Sequence, residues 1–181
     1  LYTASVTTVA AERGWDKERI CLLDPKAPLP LSVCDAGVHA SSASAAHGDA
    51  QPFTHFLFGG ILGDDPPRDR TASLRLLGFP GRHLGPVQMS TDTALGVTKR
   101  VVEDGQRLAI ADVDGQPGAD TAQDGRGALS WVDQPELDFG RGESVELPYR
   151  YLAADESKRE PLMPPGMREL IYRDFDRTFD F

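Results

Sequence analysis

A chain of 181 residues that is 40% hydrophobic and 26% charged is long enough for one domain with a buried core, and it reads as a soluble globular protein. It holds no run of about 18 apolar residues and no basic-then-apolar leader, so neither a membrane span nor a signal peptide is predicted. The net charge of -9 argues against a protein that grips naked nucleic acid by its phosphates, and it favours a basic partner drawn in by electrostatic steering.

In chain order, V-T-T-V-A-A-E-R-G-W reads as helix or ordered coil. R-I-C-L-L-D-P, from Arg19 to Pro25, reads as a buried strand stopped by Asp-Pro. The two cysteines, Cys21 and Cys34, lack C-x-x-C spacing and are too few for a disulfide framework, which predicts reduced thiols in a cytosolic protein. Residues 35–52 are small, polar and low in complexity, and they read as a flexible surface insertion whose His39 and His47 are solvated.

Phe53 to Leu62 is apolar almost throughout and predicts a strand central in a parallel sheet. After the loop from Gly63 to Arg70, T-A-S-L-R-L-L reads as a short helix with Leu74 and Leu77 three apart, and R-H-L-G from Arg82 as a short strand. S-T-D-T-A-L-G-V-T-K-R-V-V-E-D-G predicts a helix with N-cap candidates at its start, an inward face of Ala94, Val97, Val101 and Val102, and Gly105 at its end. Residues 112–127 form a second flexible insertion. Its D-x-D-G opening lacks the ligands and the closing glutamate of a calcium loop. A-L-S-W-V-D predicts another strand and E-L-P-Y-R-Y-L a late edge strand, while Met167, Leu170, Ile171 and Phe175 give the last segment one apolar side, as in a docking helix.

Strands alternating with helical patterns predict an α/β fold with a mainly parallel sheet, and in such sheets ligands sit beyond the carboxyl ends of the strands. Three loops meet that description: Gly59 to Arg70, Leu84 to Thr93, and Trp131 to Phe139. Gly59, Gly60 and Gly63 would let backbone amides approach a nucleotide-like molecule, yet G-G-I-L-G-D matches neither the Walker spacing nor G-x-G-x-x-G. Asp64, Asp65 and Asp69 beside Arg68 and Arg70 are compatible with a solvated, self-paired loop or with magnesium ligands of a hydrolase. No further acidic or histidine cluster completes a two-metal site, and no G-x-S-x-G marks a covalent nucleophile. Trp15, Trp131 and Tyr149 read as core or rim aromatics, His55 as a structural histidine, and His83 as a residue beside the second loop.

The ordered series C-L-L-D-P-K-A (Cys21 to Ala27), F-G-G-I-L-G-D-D-P-P-R-D-R-T (Phe58 to Thr71), R-H-L-G-P-V-Q-M-S-T-D-T-A (Arg82 to Ala94), V-D-Q-P-E-L (Val132 to Leu137), E-L-P-Y-R-Y (Glu146 to Tyr151) and L-M-P-P-G-M (Leu162 to Met167) resembles the fungal protein arginine methyltransferases of the SPOUT class. The resemblance implies one domain over residues 1–181 with a deep trefoil knot, an exception to the rule against threaded connections. It implies S-adenosyl-L-methionine as cofactor and monomethylation of an arginine on a small-subunit ribosomal protein. It also implies that a strand and helix preceding Leu1 in the family are absent from this chain.

Carried onto this sequence, the cofactor pocket would comprise Phe58, Gly59, Gly60, Ile61, Leu62 and Gly63, then Leu84, Gly85, Gln88, Met89, Thr91 and Thr93, with Asp133 in the third loop. A substrate guanidinium, protonated in water, needs carboxylates that orient it and draw off charge as it loses a proton. Asp64 or Asp65 at the mouth of the glycine turn and Glu136 across the pocket are the expected binders, with Asp69 pairing with Arg68 or Arg70 to hold the loop. The alternatives are a SPOUT enzyme acting on RNA, against which the charge of -9 argues, and a noncatalytic cofactor-binding, ribosome-associated module.

Overall fold

Four consecutive buried side chains, Ile20–Leu23, form strand β1, which runs through the middle of a parallel three-stranded sheet ordered β2-β1-β3. Its neighbours are β2 (His55–Phe58) and β3 (Gly81–Arg82), in register at Ile20 with His55 and Leu22 with Gly81. The computed structural model describes residues 4–36, 51–59, 69, 71–108, 127–140, 142–155 and 160–178. The more apolar Phe53–Leu62 run is therefore not the central strand among the described residues. Its β2 portion is only half-buried and lies at the edge, while the shorter I-C-L-L is sealed on both faces. Layering, not apolar run length, decides which strand is inside.

Helix α1 (Val6–Arg13) starts where Ser5 Oγ accepts the Thr8 amide at 3.2 Å and ends at Gly14, whose φ of 66° meets the left-handed C-terminal turn. It lays Ala10 and Val6 on Ile20, Leu22 and Phe79, on one side of the sheet. The short helix α2 (Ala72–Leu76) contributes Leu74 to that cluster, whereas Leu76 and Leu77 face outward.

Helix α3 (Thr91–Val102) is capped by Ser90, whose side chain accepts from the Thr93 amide, and its Val97, Val101 and Val102 are buried with Leu31, Leu108, Leu129 and Leu152. Its last helical residue precedes Glu103; Gly105, with φ of 70°, then turns the chain.

The β2-β1-β3 sheet is parallel as an α/β fold requires, and the carboxyl-terminal half adds antiparallel strands that the expectation did not include. Strands β4 (Trp131–Asp133), β7 (Arg150–Asp155) and β8 (Glu160–Pro161) form an antiparallel sheet ordered β4-β7-β8. Strands β5 (Glu136–Gly140) and β6 (Glu143–Glu146) form a separate antiparallel hairpin. The links from β5 to β6 and from β7 to β8 are far shorter than the dozen residues that a parallel crossover needs. The late strand expected at an edge is β7, and it lies between two partners.

Helix α4 (Met167–Thr178) docks as expected, with Ile171 packed on the Leu137, Leu147 and Tyr151 cluster and Tyr172 against Phe139 at 5.0 Å between ring centroids. Leu170 remains about half exposed.

The two low-complexity insertions lie mainly outside the described residues, but their roots do not. The Phe53 amide donates to the Asp35 carbonyl at 2.6 Å and Arg19 Nε to the Pro52 carbonyl at 3.1 Å. At the second, the Leu129 amide donates to the Arg107 carbonyl at 2.9 Å. No helix among the described residues is long and apolar enough to cross a membrane.

Candidate functional site

All three parallel strands run toward one cavity of about 390 Å³, which opens beyond their carboxyl ends. Leu23 at the end of β1, Phe58 at the end of β2, and Leu84, Val87 and Met89 after β3 supply its apolar walls. The polar part is made by Asp24, Lys26, Asp69, Thr71, Gln88 and Thr91. Such a cavity lies within the ~300–1,000 Å³ typical of small-molecule sites, and it combines apolar surface with a few convergent polar groups.

The loop from Leu84 to Met89 keeps its shape through three fastenings. His83 Nδ1 accepts the Gly85 amide at 3.1 Å, which requires the neutral ring, and burial pushes the His83 pKa down in keeping with that. Gly85 has φ of 112°, a conformation side chains rarely adopt. At the far end, the Arg150 amide donates to the Gln88 carbonyl at 3.0 Å, and Met89 and Arg150 make an isolated parallel bridge. The antiparallel half of the molecule is thus stitched to the cavity wall.

Opposite this loop stands a charged network. Arg75, on α2, directs Nε and Nη2 to the two oxygens of Asp24 at 2.5 and 2.8 Å, and Nη1 and Nη2 to those of Asp69 at 3.3 Å each. Lys26 Nζ donates to Asp69 Oδ2 at 2.7 Å, the Lys26 amide to Asp24 Oδ1 at 3.0 Å, and the Thr71 hydroxyl lies within bonding distance of both carboxylates. The Asp24 side chain is 4% exposed. The hydrogen bond from Arg75 above all holds the Asp24 pKa below the usual carboxylate range, against the opposing effect of burial. Bonds from Lys26, then Arg75 and Thr71, do the same for Asp69, and the two carboxylates push the Arg75 pKa upward.

Of the residues expected in the cofactor pocket, Phe58, Gly59, Leu84, Gly85, Gln88, Met89 and Thr91 line this cavity. Thr93 lies behind it, buried in the first turn of α3 with its amide on Ser90. Gly60, Ile61, Leu62, Gly63, Asp64 and Asp65 lie outside the described residues. In the third loop, Trp131–Asp133 and Glu136–Gly140 are strands, and neither Asp133 nor Glu136 is among the described residues that line the cavity. Asp133 forms a two-pronged pair with Arg150 at 2.6 and 2.8 Å, which lowers its pKa, and Arg150 also stacks over the Trp131 ring at 5.3 Å. Glu136 sits exposed on β5 and accepts from the Ser144 hydroxyl.

Among the described residues Asp69 pairs with Lys26 and Arg75; Arg68 and Arg70, its expected partners, lie outside them. Sequence reading missed Asp24, Lys26 and Arg75. Asp24 was legible only as a strand stop, and nothing in the local pattern tells that a residue 51 positions later supplies its guanidinium partner.

This geometry has close parallels. Residues 1–178 match the family described as protein arginine N-methyltransferase SFM1-like. Protein arginine N-methyltransferase SFM1 of Saccharomyces cerevisiae is 36% identical over 166 residues, covering 90% of this chain. The chain spans 62% of the length of that curated relative. Among solved structures, yeast arginine methyltransferase SFM1 complexed with SAM matches 95% of this chain and 65% of its own with a TM-score of 0.67 at 31% identity. The same enzyme complexed with SAH matches 93% of this chain and 67% of its own with a TM-score of 0.66 at 31% identity. With nearly its whole length matched by the family and the same α/β architecture in the solved relatives, the chain belongs to the SFM1-like protein arginine N-methyltransferase family.

Proposed function

We propose that this chain binds S-adenosyl-L-methionine in the cavity beyond β1, β2 and β3, and that it monomethylates an arginine of a small-subunit ribosomal protein. The observation that carries the reading is the cavity itself. Its Leu84–Met89 wall and Phe58–Gly59 edge join apolar surface for a base to polar groups for a zwitterion, and relatives of the same fold are complexed with SAM and SAH. When bound, S-adenosylmethionine supplies a methyl group on a positively charged sulfur. The chain's own contribution is to hold that group in line with an acceptor nitrogen, since positioning can provide much of the acceleration. The deep trefoil knot and the single-domain organisation belong to the same proposal.

The acceptor needs carboxylates that are not already spent. Asp24 and Asp69 are answered by Arg75 and Lys26, so among the described residues of that side of the cavity two negative charges face two positive ones. Asp64 and Asp65, four to five residues before Asp69 in the same segment, are the proposed guanidinium binders, with Glu136 as a further carboxylate on β5. The net charge of -9 fits a cationic protein substrate better than RNA.

The experiment supplies methyl-labelled S-adenosylmethionine with separated small-subunit proteins and ribosomal RNA. Label as monomethylarginine in one protein, lost in Asp64→Asn and Glu136→Gln variants that still bind cofactor, is the expected result. Label in RNA and not in protein overturns the arginine reading, and unimpaired variants overturn the assignment of carboxylates.

A further inference from the structure

We infer that Arg75 is a positioning residue for the cofactor cavity, acting through Asp24 and Asp69 without lining the cavity itself. The inference rests on the proposed S-adenosylmethionine site. Asp24 and Asp69 both line the cavity and come from different parts of the chain: the end of β1 and the segment between β2 and α2. Among the described residues no backbone-to-backbone hydrogen bond joins Asp24 to Asp69; the Thr71 hydroxyl and Lys26 touch both. Arg75 reaches both, with four of its N–H directions used across two carboxylates.

A planar guanidinium is required for this. The Nε edge fits Asp24 in the two-pronged mode while the remaining nitrogens face Asp69, and an ammonium at the same place has neither the fork nor the reach. Lys26 closes the square, since its amide bonds Asp24 and its Nζ bonds Asp69. The Arg75 side chain is 37% exposed, so its outer edge is wet, whereas Asp24 behind it is nearly sealed. The arrangement fixes the two cavity-lining carboxylates relative to the strand ends before any ligand arrives. Preformed polar groups of this kind reduce what binding must spend on ordering.

The test compares wild type with Arg75→Lys, Arg75→Met and Asp69→Asn by calorimetric titration with S-adenosylhomocysteine, alongside thermal unfolding and amide hydrogen exchange of the ligand-free proteins. The expected result is at least tenfold weaker binding for each folded variant, with faster exchange at Lys26 and Thr71 in Arg75→Lys. Non-additivity of Arg75→Met with Asp69→Asn is expected as well, because both break one unit. Folded variants that bind as wild type does overturn the inference while leaving the cofactor reading intact. A wild-type chain that binds nothing overturns the cofactor reading. In that case exchange decides alone: unchanged rates at Lys26 and Thr71 in Arg75→Lys overturn the positioning role, and faster rates uphold it. If Arg75→Met does not fold, Arg75→Lys and Asp69→Asn carry the comparison.

Discussion

Replacing Asp24 by Asn removes one charge and turns one acceptor oxygen into an NH2 group that faces either Arg75 Nε or the Arg75 Nη2 and Lys26 amide side. Whichever way the amide points, a donor meets a donor. Breaking a fully buried ion pair costs about 3–5 kcal/mol, and a hydrogen bond to a charged group contributes about 1.5–3 kcal/mol. The lower end applies here, because Arg75 is 37% exposed and keeps Asp69, so the substitution should cost about 2–3 kcal/mol. For a chain of this length that corresponds to a fall in Tm of roughly 4–12 °C. The pH dependence supplies a second arm. The folded pKa of Asp24 is depressed, so its contribution is fully present above the ordinary carboxylate value of about 3.9 and is lost as pH falls below it toward the folded value. Urea unfolding of both proteins at several pH values checks this. The gap between wild type and Asp24→Asn should be constant from neutral pH down to about 5 and should narrow below about 4. A gap at pH 7 smaller than about 0.5 kcal/mol, the range of an ordinary surface substitution, would refute the account, as would a gap that persists undiminished at acid pH.

Leu22→Ala removes a side chain 1% exposed at the centre of the parallel sheet, packed among Ala10, Ile20 and Phe79; a loss of about 3 kcal/mol in denaturant unfolding is expected, within the range of about 2–5 for such cavities. Replacing residues 37–50 by a short Gly-Ser link should leave Tm within a few degrees, because Asp35 and Phe53 already meet at 2.6 Å and halving a loop changes its closure entropy by only about 0.6 kcal/mol; a large loss of stability would show that the insertion packs on the domain. Cys21 is buried and its thiol is pushed up to about 12, chiefly by burial, so at pH 8 a thiol reagent should modify the native protein at Cys34 and reach Cys21 only after unfolding. Two rapid equivalents in the native state would contradict this.

Local pattern carried the helices well. Ser90 precedes an apolar-periodic run as a cap does, and Val97, Val101 and Val102 fall on one face because the spacing of an α-helix requires it, whereas the α1 segment read as helix or ordered coil and its Ser5 cap emerged only in the structure. The I-C-L-L strand and the Leu84–Thr93 loop were legible for the same reason: a short apolar run before Asp-Pro and a Gly-Pro turn before a capping serine are signals within a few residues. The β5–β6 hairpin was missed although Leu137, Phe139 and Val145 alternate with polar residues around Gly140 and Gly142, a pattern that the run of acidic residues obscured.

The sequence by itself determined the class of fold, the family resemblance and most of the Leu84–Thr91 wall, since each rests on contiguous residues whose spacing has direct physical meaning. Which strand lies inside, which sheet is antiparallel, and the alliance of Asp24, Lys26, Asp69 and Arg75 were decided only in three dimensions. Pairing of β1 with both neighbours covers its edges, while the clusters around Ile20 and Leu22 and around Cys21 and Leu23 cover its two faces, and an ion pair between Asp24 and Arg75 exists only once the end of β1 and α2 are folded against each other. Periodicity records how a segment meets its surroundings; the identity of those surroundings is set by closure of the whole chain.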